Sequence, residues 1–476
     1  MSKPVPLEKR QKEIAKWEKE QAKPKRKFYI IYMIFIISLV YVTDEVASQI
    51  GTLMKTEIAN DMMASFGQSS VGMLDILGMI AIPFQMFAVI YKPLSDKLGR
   101  KTFLIINTFG MAAGLLLIFL SNNLFLYVAG TCVIQFFVPH DMQVVYIMES
   151  APPKHRARIY SVVKCVATLG VMLIPLLRRM LMHSASEWRM VYLIPAVVGL
   201  VTSFIALLFV KETDAFIDSR LRYLRLSDEE IAREKLQKKT DNAQGGLISA
   251  FRFVFRHKQL KWLFAALAFA NTGFLVTMDY QVIMSYGYAS QMVGTGAASA
   301  LEEALEYVSV NQVTAAAFMF PVGSALAQLF MGFIADGKSR RAAALFSTAV
   351  STLALIGMWY GAYHALSPYI VGFFSGACIG GFWAIGDILT MMVGESTPTN
   401  LRSSVVSASL VGLGLGVAVS YGVGIPLLTV LGNGATAVIC LCLAVPGGIL
   451  SFITLLFKTN DTTGLDLDKV TGCEWD

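Results

Sequence analysis

The sequence predicts an all-α membrane protein with twelve transmembrane helices in two pseudo-symmetric six-helix bundles. Three observations predict it. The 476 residues are 55% hydrophobic and only 15% charged, whereas soluble domains carry about 25% charged residues. The polar residues gather between apolar runs of the ~20 residues that a spanning helix needs. A phrase built from Glu, Ser, Pro and Arg also occurs twice, MESAPPKHRAR at 148–158 and GESTPTNLRSS at 394–404, each time after a long apolar run.

Taken in order, residues 1–27 hold ten Lys/Arg and four Glu. They lack the apolar core and small-residue cleavage site of a signal peptide, and read as a basic cytoplasmic segment. Six apolar runs follow at 28–54, 68–93, 102–121, 123–148, 157–179 and 189–210, forming an N-terminal bundle over 28–210. Residues 211–258 form a charged cytoplasmic linker, where Ser227 followed by Glu230 opens a helix as a capping box. Six further runs at 259–288, 312–335, 341–363, 366–393, 402–430 and 434–457 form a second bundle over 259–457, followed by a tail, 458–476.

Loop charge orients the chain. The loops placed inside carry Lys92, Lys97, Arg100, Lys101, Lys154, Arg156, Arg158, Lys338, Arg340, Arg341 and Arg402; those placed outside are poor in cations. This bias puts both termini in the cytoplasm of a multi-pass protein. Lys55 and the 178–189 turn, with Arg178, Arg179 and Arg189, are the exceptions. The six cysteines show no metal-ligand spacing and read as structural thiols. No metal site and no nucleic-acid partner is expected.

The repeat is an offset of 246 residues. Gly130, Cys132, Phe136, Asp141, Glu149, Ser150, Pro152 and Arg156 fall on Gly376, Cys378, Phe382, Asp387, Glu395, Ser396, Pro398 and Arg402, without a gap. Further on, Ser161 and Leu169–Val171 fall on Ser407 and Leu415–Val417. A second pair, KPLSDKLGRK at 92–101 and GFIADGKSRR at 332–341, matches Asp96, Arg100 and Lys101 with Asp336, Arg340 and Arg341.

These motifs resemble those of the major facilitator superfamily. Its loop signature, Gly-x-x-x-Asp-Arg/Lys-x-Gly-Arg-Arg/Lys, is kept at Asp96, Lys97, Gly99, Arg100 and Lys101, with Lys92 for the leading Gly. It recurs at Gly332, Asp336, Arg340 and Arg341, with Ser339 for the later Gly. The Glu-x-x-Pro-x-x-x-Arg phrase resembles that of sugar-porter-like and organic-acid or organic-ion carriers, and VKETDAF at 210–216 is loosely similar to the charged phrase that sugar porters carry after helix six. The resemblance implies bundles that rock around a site near the bilayer midplane. It also implies a cytoplasmic gate at Asp96, Arg100, Glu149, Arg156, Asp336, Arg340, Glu395 and Arg402, while Lys97, Lys101 and Arg341 serve topology alone. The kinked helix-five motif of drug exporters is absent, since 169–176 reads LGVMLIPL.

Ionisable residues at mid-helix in a membrane cost at least ~2.5–3.5 kcal/mol and so ask for a function. Asp44 and Glu45 lie in helix one, His140 and Asp141 in helix four, Asp279 in helix seven and Asp387 in helix ten. In the family's fold these four helices face the central cavity. Asp141 and Asp387 each lie eight residues from the Glu of the repeated phrase, ~12 Å along a helix, which makes them the inner pair. Lys164 in helix five stands near the depth of Asp141, and an Asp141–Lys164 ion pair is expected, with His140 tuning it. Tyr280, Gln281 and Trp383 supply hydrogen bonds and stacking. Asp75 reads as lying near the outer surface, outside the site.

No phosphate-binding loop, nucleophile elbow or metal-spaced histidine occurs, so an enzyme is not expected and transport must draw on a gradient. The expectation is a monomeric plasma-membrane symporter in the lipid bilayer, moving a small organic solute (sugar or organic acid) with protons as coupling ion and no cofactor. The alternatives are a proton-coupled exporter of cationic or amphipathic compounds and a non-transporting sensor with a carrier fold.

Overall fold

The computed structural model describes residues 7–22, 29–81, 83–84, 98–137, 146, 156–227, 230, 233, 247–397 and 402–463. Among the described residues all regular structure is helical, and nine stretches are long and apolar enough to cross a membrane. The expected second and fourth spans run into residues outside that set, and the expected fifth is interrupted at Val171–Met172. Backbone contacts divide the chain into two compact units. One holds Met1–Gln49, Gly78–Val171 and Arg189–Thr240; the other holds Ile50–Leu77, Met172–Trp188 and Asp241–Asp476.

The first unit contains α1 (Leu7–Gln21), α2 (Tyr29–Leu53) as far as Gln49, α5 (Arg100–Phe119), α6 (Leu124–Phe137), α7 (Arg156–Gly170), α9 (Met190–Phe209) and α10 (Asp214–Arg225). Its core joins Met33, Ile36, Ile37 and Val40 of α2 to Phe103, Val163 and Ala206. Helices α5 and α6 meet on glycines: a Cβ added at Gly114 or Gly130 would stand 3.1 Å from the other's carbonyl oxygen. The basic N-terminal segment contains a helix that the sequence reading did not draw. Trp17 of α1 meets Phe216 of α10 edge-on at 5.3 Å, and Glu13 and Glu18 pair with Arg220 and Arg225 at 2.9 and 2.7 Å. The expected capping box forms. Glu230 N donates to Ser227 Oγ, and Ser227 N and Oγ donate to Glu230 Oε2 at 2.8 and 2.9 Å; the two bonds to the carboxylate hold it below its ordinary range.

The second unit contains the end of α2, α3 (Lys55–Met62), α4 (Ser70–Met79) as far as Leu77 and α8 (Leu173–Leu181). It also holds α11 (Leu247–Arg256), α12 (Lys258–Asn271), α13 (Phe274–Gly294), α14 (Leu301–Val308), α15 (Thr314–Gly337), α16 (Arg340–Tyr363), α17 (Pro368–Glu395), α18 (Arg402–Leu431) and α19 (Thr436–Lys458). Helix α17 lies against α15 along Gly372, Gly376 and Gly380, where an added Cβ would overlap the backbone of Ala316, Phe320 and Ser324. Small residues at four-residue spacing allow this approach in membrane helices.

Three irregularities in this unit depart from the expected spans. Helix α2 stops at Met54, whose backbone is non-helical (φ −117°, ψ 14°), and resumes as α3. The expected seventh span breaks at Thr272–Gly273, where Thr272 Oγ1 donates to Phe269 O and Leu443 O, and Leu275 N donates to Ser420 Oγ. Residues 301–308, which fall between the expected spans at 259–288 and 312–335, form α14, which runs through a π-helical turn, Ser309–Val313, into α15. Such turns leave a carbonyl without its helical partner; here Ser309 O accepts from Arg178 at 2.8 Å.

Candidate functional site

The irregularities of the second unit converge on two buried ionic groups. The break at Met54 turns the Lys55 side chain inward, to 6% exposure, and its Nζ donates to Oδ1 of both Asp75 and Asp279. Asp279, in the middle of α13, is fully enclosed, and Asp75 of α4 is 9% exposed. The remaining oxygen of each carboxylate, Oδ2, is buried without a hydrogen-bond partner. Two residues along α3 from Lys55, Glu57 pairs with Arg178 of α8 at 2.5 Å, with both side chains fully buried. Arg178 also donates to Leu53 O at 2.7 Å and Thr314 Oγ1 at 3.1 Å. Gln281 of α13 ties to α3 beside them: its Nε2 donates to Glu57 at 3.3 Å, and its Oε1 accepts from Thr56 N and Oγ1 at 2.8 and 2.9 Å. Tyr280 stacks on Phe320 at 4.9 Å and its hydroxyl meets Thr52 Oγ1 at 3.4 Å.

Every residue of this constellation comes from the second unit. It corrects two readings. Asp75 is not a surface residue but a member of a buried ion cluster, because α4 turns it toward Lys55. Lys55 and Arg178 are not outer-loop cations but buried partners of acids, so neither offends the loop-charge bias. Arg189, the other side of the 178–189 turn, donates to Ser121 O at 2.6 Å within the first unit.

The remaining expected cavity residues are distributed as follows. Asp44 is buried and Glu45 half-buried on α2, and Lys164 is half-buried on α7, all in the first unit. His140 and Asp141 lie outside the described residues, and with them the expected Asp141–Lys164 pair. Trp383 and Asp387 sit one turn apart on a stripe of α17 that stays exposed where the neighbouring residues Gly381, Phe382, Ala384, Ile385, Ile388 and Leu389 are buried. Phe274, beside the α13 start, packs edge-on against Trp383 at 6.4 Å and Tyr421 at 5.5 Å.

Of the expected gate residues, the structure brings three together. Arg340 donates to Asp336 at 2.9 Å and to Glu395 at 3.2 Å, and Glu395 also accepts from Thr462 at 2.6 Å. Arg341 donates to Leu455 O at 3.0 Å and to Leu456 O, closing the C-terminal turn of α19. In the first unit, Glu212 accepts from the backbone N–H groups of Arg100 and Lys101 at 2.9 and 3.1 Å, at the start of α5. Gly99 precedes them with φ +107°, and a Cβ there would collide with the Glu212 carboxylate; glycine permits both. Arg100 stands over the Phe216 ring at 5.9 Å. Asp96 and Glu149 lie outside the described residues, as do the side chains of Arg156 and Arg402.

The sequence reading missed Glu57, Asp75 and Glu212 as site residues. Glu212 lay inside the VKETDAF phrase, and Lys55 and Arg178 were visible as unexplained cations; each pointed toward a partner that was not named.

A family model described as Major Facilitator Superfamily matches residues 28–302. The chain belongs to this superfamily. Among solved structures it is similar to a D-xylose–proton symporter, with 14% identity and a TM-score of 0.59 over 92% of this chain and 99% of that one. It is also similar to the xylose transporter XylE from E. coli in an inward open conformation, with 15% identity and a TM-score of 0.58 over 93% and 98%. A third is a bacterial homologue of the human lysosomal transporter Spinster, inward-facing and unoccupied, with 14% identity and a TM-score of 0.51 over 91% and 95%. No sequence among curated proteins matches the chain. Family, fold and apolar helices together make this superfamily member an all-helical multi-pass membrane protein of the transporter class.

Proposed function

We propose that this superfamily member is a secondary active carrier that moves a small polar organic solute, of the sugar or organic-acid class, by alternating access together with protons. The observation that carries the reading is the exposed stripe of α17. Trp383 is 43% exposed and Asp387 lies one turn further along the same face. A carboxylate on an apolar helix belongs on a water path rather than against lipid. An aromatic plate beside an acceptor suits a hydroxylated solute, since the ring covers the C–H face and the carboxylate takes the hydroxyl protons. Asp44, Asp279, His140, Asp141 and Lys164 complete the ionisable set, and Asp336, Arg340 and Glu395 form part of a cytoplasmic gate with Asp96, Arg100, Glu149, Arg156 and Arg402. The carrier works as a monomer in the plasma membrane with both termini cytoplasmic.

Purified protein in liposomes tests this directly. With an acidic exterior, a sugar or organic acid from a screened panel accumulates, and a proton ionophore abolishes the accumulation. Uptake that ignores pH and follows sodium overturns the coupling; acid-driven extrusion of lipophilic cations instead favours the exporter reading.

A further inference from the structure

The proton-coupled reading leaves open which side chains carry the proton, and the buried group around Lys55 carries an inference on that point; it rests on that reading. Within it, two carboxylates face one ammonium. Asp75 and Asp279 both bind Nζ of Lys55 through Oδ1, and both keep a buried Oδ2 with no partner. The neighbouring Glu57–Arg178 pair is balanced in itself, and the Gln281 amide leaves no charge to spare. Among the described residues, the other titratable groups facing the cluster are Tyr421 of α18 and Cys440 of α19, with Cys378 of α17 behind Cys440. A phenol and thiols are neutral near pH 7 and supply no positive charge. Counted over the described residues, the cluster is therefore one positive charge short, and a lone buried negative charge is costly.

We propose that Asp75 and Asp279 together hold one exchangeable proton beside Lys55, and that this shared site is where a proton is carried. A proton converts one carboxylate to a neutral acid and balances the cluster. Its loss leaves both aspartates competing for one ammonium. The ligand is a proton rather than a metal cation because the ammonium already occupies the place between the carboxylates where a metal would sit. The site also bears on movement. Lys55 begins α3 after the non-helical Met54, and its grip on Asp279 fastens that segment to the middle of α13. Protonating Asp279 weakens that grip; returning the proton restores it.

Infrared difference spectroscopy of the purified, solute-free protein tests the site without any transport. Between acidic and alkaline buffers the wild type should show a protonated-carboxyl band of about one group per chain. D75E and D279E, which keep every charge, should each shift that band; D75N and D279N should remove it. If the band stays unmoved in both glutamate variants, the site is wrong. If sodium at constant pH abolishes the band, a metal cation competes for the site and the proton assignment falls. The two readings fail separately. A band that maps to these aspartates without acid-driven uptake sinks the symport reading alone, whereas uptake with no such band sinks the site alone.

Discussion

At the residue scale, Arg178 and Glu57 show how a membrane protein keeps charges away from water. Both side chains are fully enclosed, and the guanidinium spends its donors on Glu57, Leu53 O, Ser309 O and Thr314. Removing one partner of a buried pair leaves an uncompensated charge and costs about 3–5 kcal/mol, whereas replacing both with apolar residues is often close to neutral. R178M or E57Q should therefore lower the midpoint of thermal unfolding in detergent sharply, and R178M combined with E57L should recover most of the loss. Singles that melt with the wild type would show that the pair contributes little. The sequence announced these residues only in part. Lys55 and Arg178 broke the loop-charge bias, which is a local signal. Their acids could not be assigned, because pairing depends on how α3, α4, α8 and α13 turn toward one another. Asp279 stood out because it lies in the middle of an apolar run; Asp75 lies near the edge of one, where depth read from sequence position misplaced it.

At the element scale, the glycine stripe of α17 sets how closely two helices approach. A Cβ at Gly376 meets the backbone of Phe320 and Ser324 rather than the end of a flexible side chain, so no rotamer change relieves it. Overpacking of this kind typically costs 1–3 kcal/mol and occasionally more. G376V should lower thermal stability accordingly, whereas G414A, with nothing within 4 Å of its added Cβ, should stay within about 0.5 kcal/mol of wild type. Equal melting of the two variants would refute the close approach as the reason for glycine. Helix edges were legible where the chemistry was local. Arg340 and Pro368 open their helices within two residues of the expected positions, Arg402 opens its helix on the expected one, and the Ser227–Glu230 box closes as its spacing implies. The interruptions were not legible, because apolarity runs straight through Thr272–Gly273 and Val171–Met172. Gly273, Gly170 and Pro175 hinted at them, and a glycine or proline inside an apolar run also fits an unbroken membrane helix.

At the scale of the whole molecule, the proposed transport cycle makes the exposed stripe of α17 a solute path, and that separates it from other exposed apolar surface. Phe333 and Leu353 are each 68% exposed, as lipid-facing side chains are. Trp383 is less exposed but shares its face with a carboxylate, which no lipid-facing stripe should carry. The two surfaces should answer differently to truncation. F333A and L353A should leave solute counterflow in proteoliposomes near the wild-type rate. W383A should weaken apparent affinity by roughly 2- to 12-fold, the loss of an aromatic contact of about 0.5–1.5 kcal/mol. D387N should weaken it by about 10- to 150-fold, the loss of a hydrogen bond to a charged group of about 1.5–3 kcal/mol. Counterflow needs no gradient, so a loss seen there reports on solute contact and not on the proton. If both α17 variants exchange solute as the wild type does, this face meets lipid, and the solute must be held elsewhere in the fold.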